Sequence, residues 1–309
     1  MATYKEIHGV KLQYRESDAT AVEGDVWYNA STGKLKLYAA VGAWSSGGNL
    51  NTGRNGGRGA GSSNSAALCF GGNTGSPVTV HESYDGSSWT EIADLNTAKT
   101  NSVGLGTQTA ALCAMTGTSE EWNGASWTEG SNLTTSRQEI GSAGTQTAGL
   151  ALGEQNGDSG KVELYNGASW TEVGDLNTAR GALEGAGIST AAIAAGGYST
   201  AAHAQVESYD GSSWTEVGDI NGARYFLGAT GSQTSALAFA GTPPTGGLTE
   251  SWDGSSWTEV ADLSTARFTG CPAHNAPASS TLYAGGNPSN KNVTEEWDVS
   301  ATVETVAFD

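Results

Sequence analysis

The chain has 309 residues, among them 45 glycines and only 6 prolines, a composition of tight turns and small side chains rather than thick helices. Thirty-two acidic residues against 14 basic ones give a formal net charge of −18, which disfavours nucleic-acid binding through phosphate neutralisation. No run of about 18 apolar residues is present to span a membrane, and the opening MATYKEIHGVKLQY lacks an apolar signal region, so neither membrane insertion nor Sec-type export is expected.

Residues 1–43 form the first predicted unit and hold 5 of the 14 basic residues. Their core, EGDVWYNASTGKLKLY at 23–38, reads as a hairpin: alternating VWYN, a Ser-Thr-Gly turn, then alternating KLKLY. From residue 44 onward the chain repeats. A tryptophan falls at Trp89, Trp127, Trp170, Trp214 and Trp257, in steps of 38, 43, 44 and 43 residues. Ten residues after each tryptophan stands a basic residue, and the basic series reads Arg54, Lys99, Arg137, Arg180, Arg224 and Arg267. Counting back ten from Arg54 reaches Trp44, so Trp44 belongs to the same series.

Each unit carries a Gly- and Ala-rich segment after the basic residue, a short apolar run, an alternating run ending in an aromatic, and a fourth segment around the tryptophan. Asp-Gly or Asn-Gly joins the last two at 85–86, 123–124, 166–167, 210–211 and 253–254. That dipeptide predicts a two-residue hairpin turn with positive φ at both positions. No segment has the i, i+3, i+4 apolar spacing of a helix. Four short strands in about 43 residues, six times over, predict an all-β, six-bladed β-propeller over 44–309, with Ala and Gly crowded near the axis and the tryptophans filling the gaps between blades. Residues 267–299 supply only three strands of the last blade. The Trp44 segment is expected to provide the fourth and close the ring; in the alternative SATVETVAFD does so, with Thr302 in the tryptophan register. Three cysteines, Cys69, Cys113 and Cys271, carry little redox information; Cys69 and Cys113, in the matching contexts AALCFGG and AALCAMTG, read as small buried apolar residues.

An Arg, an apolar strand ending in Gly-Gly (71–72, 196–197, 285–286), an aromatic-Asp pair and a Trp together resemble the kelch repeat, in a shortened form over residues 44–300. The 23–38 hairpin resembles one that precedes the variable distal region of phage tail-fibre and other virion proteins. Units such as GTQTAALC and ESYDGSSWTE are similar to repeats of bacteriophage structural proteins. These resemblances imply a virion protein with an attachment segment at 1–43 that engages other virion proteins, and a propeller that contacts a host-surface glycan or protein. Homo-oligomerisation is in keeping with fibre proteins. A capsid-surface decoration protein is the second reading and a carbohydrate-active enzyme the third.

No catalytic, metal or cofactor set stands out. His8, His81, His203 and His274 lie in different units without ligand spacing, and SYDGSSW is one residue short of the sialidase Asp-box it invites comparison with. The basic series has two readings: internal pairing with neighbouring Asp or Glu, or an anion- or glycan-binding ring at the channel mouth. Binding is expected in the loops between second and third strands, at 73–78, 154–160, 198–204, 242–248 and 287–292, which differ most among units.

Overall fold

A computed structural model describes residues 6–7, 10–11, 13–17, 25–115, 117–155, 159–244 and 246–306. The chain divides into two units, one of Met1–Ala43 with Val299–Asp309 and one of Trp44–Asp298. The C-terminal residues thus group with the N-terminal unit and not with the repeat.

All regular structure among the described residues is β. The repeat unit contains five four-stranded antiparallel meanders, each in sequential strand order. The first runs Arg58–Ser63, Ala66–Phe70, His81–Tyr84 and Trp89–Glu91. The next four begin at Val103–Thr107, Gly141–Thr145, Glu184–Ile188 and Gly228–Ser232. The sixth sheet begins with Cys271–Pro272 and Ser280–Ala284 and continues into Thr294–Thr305, beside which lies the strand Lys34–Ser46 carrying Trp44. The first strands of successive sheets neighbour one another in order, and that of the sixth neighbours that of the first. Six sheets so arranged are consistent with a six-bladed propeller.

Segment 44–54 lies along 291–297. Gly47 donates its backbone N–H to Thr294 O at 3.0 Å, Leu50 to Asn292 O at 2.8 Å and Arg54 to Lys291 O at 3.2 Å. The Trp44 and Trp297 rings stand 5.4 Å apart. The same cross-strand contact recurs as Tyr84–Trp89, Trp122–Trp127, Tyr165–Trp170, Tyr209–Trp214 and Trp252–Trp257. Trp44 therefore occupies the fourth-strand register of the sixth sheet. The C-terminal residues go elsewhere: Val306 donates to Leu35 O at 3.0 Å, within the N-terminal unit.

Indole N–H groups reach across to the preceding sheet. Trp89 donates to Thr294 Oγ1 at 2.9 Å, Trp127 to His81 Nδ1 at 2.9 Å and Trp44 to Thr249 Oγ1 at 3.0 Å. Trp170 and Trp214 donate to the carbonyls of Ser131 and Gly174 at 2.9 and 3.0 Å. Trp257 is buried in the same register, but its indole N–H has no hydrogen-bond partner among the described residues; in the other five the ring covers apolar surface while its polar edge is satisfied. At Gly185 the fourth sheet comes too close to the third for a side chain: a Cβ there would lie 2.4 Å from Ser142 O.

Two expectations are corrected. The Asp-Gly turn is not a two-residue turn. Asp85 through Ser88 all lie in the loop between the paired residues Tyr84 and Trp89, and only Gly86 takes a positive φ, of 92°. The Asp85 carboxylate accepts the backbone N–H of Ser87 at 2.9 Å and of Ser88 at 2.8 Å, building the turn from its side chain. Asn123 makes the same contacts with Ala125 and Ser126, which explains why Asp and Asn alternate here. The second correction concerns the cysteines. Cys69 and Cys271 form a disulfide with Cα atoms 5.6 Å apart, joining the first sheet to the sixth across 202 residues, and only Cys113 is a free buried thiol.

The turn aspartates carry a pH signature. Asp85, Asp210 and Asp253 are pulled down to about 2, the first two chiefly by backbone N–H groups of Ser88 and Ser213, the third chiefly by the Ser255 hydroxyl. A depressed carboxyl contributes stability that is present above its unfolded pKa near 4 and is lost as pH falls toward 2. Replacing all three by Asn should flatten the dependence of Tm on pH between about 4 and 2 relative to the parent. An unchanged slope would show that the three carboxyls are not depressed by folding.

The N-terminal unit holds the predicted hairpin. Val26–Asn29 pairs antiparallel with Lys34–Leu37, and Asn29 closes the turn by accepting Thr32 N at 3.0 Å and Ser31 Oγ at 2.8 Å. Gln13–Arg15 adds a parallel strand to Trp27–Asn29, which sequence periodicity had not indicated.

Candidate functional site

The linker that enters each sheet carries the basic residue, and it docks on that sheet's third strand. Arg54, Lys99, Arg137, Arg180, Arg224 and Arg267 are all buried, and they pair with Glu82, Glu120, Glu163, Glu207, Glu250 and Glu295 respectively. Each glutamate also receives linker donors. Glu207 accepts the backbone N–H of Asn177 at 2.7 Å, the Asn177 carboxamide at 2.9 Å and the Thr178 N–H at 3.2 Å, besides Arg180. Glu295 is served likewise by Ser264, Thr265 and Arg267. Burial pushes the Glu295 carboxyl up, but Arg267 and Ser264 together outweigh it and hold it below its usual value. Burial lowers Arg54, opposed by Glu82. The six cations therefore sit inside, neutralised, which is the internal-pairing arrangement. They present no ring of exposed charge at a mouth, because each is enclosed with its own carboxylate.

A second polar network lies where the first strands converge. Arg58 donates to Glu184 Oε2 at 2.9 Å, to Ile140 O at 3.1 Å and to Ser102 O. Glu184 Oε1 accepts Ser142 N at 3.0 Å and lies 3.3 Å from His274 Nε2. Thr230 Oγ1 donates toward Ala273 O at 3.2 Å, which brings in the fifth sheet. All six sheets are joined through this cluster. Burial pushes Glu184 up, yet Arg58, His274 and Ser142 together draw it below its ordinary value. The Ser-His-Glu grouping does not have relay geometry: Ser142 Oγ, at 3.2 Å, and the carboxylate both meet the same nitrogen, Nε2. Sequence reading missed Arg58 and Glu184; the signal available was that each breaks the repeat, standing where other units carry small or apolar residues.

At one end the network is ringed by the residues two positions after each basic one. Gly56, Asn101, Glu139, Ala182, Phe226 and Thr269 all adopt left-handed φ values between 51° and 61°. Successive members are linked by backbone N–H donation: Gly56 to Thr269 at 2.8 Å, Thr269 to Phe226 at 3.1 Å, Phe226 to Ala182 at 2.8 Å, Ala182 to Glu139 at 2.7 Å and Asn101 to Gly56 at 2.8 Å. Left-handed backbone at Thr269 and Phe226 is strained for such side chains and is held here by those bonds. The ring bounds a depression lined by Arg58, Asn101, Glu184, Phe226 and Thr269.

The loops singled out from sequence start beside this ring. Asn55 bridges to Asn73, Gly181 to Tyr198, Tyr225 to Thr242 and Phe268 to Asn287, and Gln155 donates to Gln138 O at 3.4 Å. Segments 73–78, 198–204 and 287–292 thus stand around one mouth, as do the described parts of 154–160 and 242–248; residues 156–158 and 245 lie outside the described residues. Of the histidines, His81 is buried and pushed down to about 4 by desolvation, His203 contacts Ser199 and Gln205, His274 contacts Glu184 and Ser142, and His8 lies outside the described residues. Tyr84 donates its hydroxyl to Glu296 but is pushed up to about 12, first by burial and then by that bond, the opposite of an activated phenol nucleophile. Among the described residues no group of three or more His, Cys, Asp or Glu side chains could hold a metal ion.

No protein-family model matches the chain, and no curated protein matches its sequence.

Proposed function

We propose that this is a non-enzymatic bacteriophage virion protein whose repeat region is a kelch-like six-bladed propeller, closed by the strand that carries Trp44, and which displays its mouth loops to a host surface. The observation that carries this reading is a division of labour within the repeat. Residues that recur from unit to unit (the Arg–Glu pairs with their one Lys–Glu equivalent, the Trp series, the turn Asp or Asn) are structural, and most are buried. Residues that vary from unit to unit gather around a single mouth. A scaffold with a constant interior and variable loops at one end is suited to recognition. The N-terminal unit supplies the attachment side, where Tyr14 and Tyr28 stack at 5.5 Å and are exposed at 64% and 37%. Other virion proteins are the proposed partners there, a host-surface glycan or protein at the mouth, and the virion is the proposed location; a homo-oligomer is the proposed assembly. The Cys69–Cys271 disulfide suits exposure outside the cell.

Immunogold labelling of the phage particle with antibodies to the repeat region tests this. A few copies at the tail are expected. Copies spread over the head would replace attachment by decoration, and absence from the particle would overturn the virion assignment.

A further inference from the structure

One side of the mouth departs from the repeat in a chemically specific way. Tyr198, Tyr225, Phe226 and Phe268 form a continuous row, with successive ring centroids 4.9, 5.2 and 6.4 Å apart. All four are only half-buried, and none belongs to the buried apolar clusters between sheets. Units one to three have Asn55, Thr100 and Gln138 where units five and six have Tyr225 and Phe268. Phe226 faces the same depression as Asn101. The carboxamides of Asn101 and Asn287 have no hydrogen-bond partner among the described residues.

We infer that this row is a platform for a neutral oligosaccharide, with its sugar faces on the rings and its hydroxyls on the carboxamides of Asn101 and Asn287. The inference rests on the display reading above. Aromatic faces take the C–H face of a pyranose, and carboxamides both donate to and accept from hydroxyls. Ring spacings near the size of a sugar suit a chain laid along the row. An anionic ligand is disfavoured, because the net charge is −18 and the six repeat cations are enclosed with glutamates. A protein partner is disfavoured, because none of the outright exposed large apolar side chains (Tyr14, Tyr28, Val41, Ile188) comes from the loops and linkers that build the mouth.

Calorimetric titration of the full chain with chitohexaose, maltohexaose, mannohexaose and heparin tests it. At least one neutral oligosaccharide should bind, and heparin should not. Tyr225→Ala and Phe268→Ala should each weaken binding about tenfold with an unchanged melting profile, whereas Ile188→Ser, at the far end of its strand, should leave it intact. Binding of heparin alone, or equal neutral-sugar affinity in the aromatic variants, would overturn the platform. Adsorption of fluorescent protein to host cells separates the two readings. Loss of adsorption after periodate treatment and in both aromatic variants supports the platform. Adsorption that survives in those variants, or is abolished by protease treatment alone, sinks the platform and leaves display standing. No adsorption by the parent chain sinks display, and the titration then decides the platform.

Discussion

Replacing Arg180 by Gln should lower the unfolding free energy by about 3–5 kcal/mol, because it leaves Glu207 charged, buried and without its counter-ion. Replacing Glu207 by Leu should do at least as much harm. Glu207 serves Arg180 and three linker donors, so its loss orphans a buried guanidinium and the N–H groups of Asn177 and Thr178 together. Arg180→Lys should be the mildest of the three, since Lys99 already fills the equivalent place opposite Glu120. Denaturant titration of the three variants gives the order. The same proteins in the oligosaccharide titration separate scaffold from site: stability should fall while affinity per folded molecule holds. An Arg180→Gln variant as stable as the parent would mean that the clamp is dispensable.

The second large effect concerns the junction between the first and last sheets. Trp44→Ala should destabilise by about 3 kcal/mol, the lower end for a large aromatic because Trp44 is only half-buried. The substitution removes the ring packed on Trp297 and the indole bond to Thr249. Reducing the Cys69–Cys271 bridge, or substituting Cys271 by Ser, should cost about 2–4 kcal/mol, because the bridge shortens the unfolded chain across 202 residues. Removing residues 1–46 should be worse than either, since it strips the fourth strand from the sixth sheet and exposes the edge of Thr294–Thr305 to pairing with other chains. Thermal melting with and without reductant, and light scattering of the truncated chain, measure these effects. A monomeric truncated chain with the parent's melting temperature would show that Trp44 does not complete the sheet.

Both predictions depend on contacts that the sequence announced only by half. Periodicity placed the basic residues in register, yet the glutamate that receives each one lies 21 to 28 residues further on, two positions before the aromatic that ends the third strand. That strand read as the outer side of a hairpin. Its glutamate became a site only when the linker docked on the third strand.

The sequence by itself determined the period, the four-strand grammar, the place of the tryptophans and the identity of the unit that lacks its own fourth strand. These are local or repeated properties, set by strand alternation, turn chemistry and spacing along the chain. The tertiary structure decided the rest. It put the Trp44 segment beside 291–297 and sent the C-terminal residues to Leu35. It paired Cys69 with Cys271, brought Arg58, Glu184 and His274 together where the first strands converge, and lined up Tyr198, Tyr225, Phe226 and Phe268 in one row. Most of these residues stand at register positions where the units differ from one another, so the period does not announce them. They meet because the first strands of successive sheets neighbour one another in order, and that of the sixth lies beside that of the first, which brings distant units side by side.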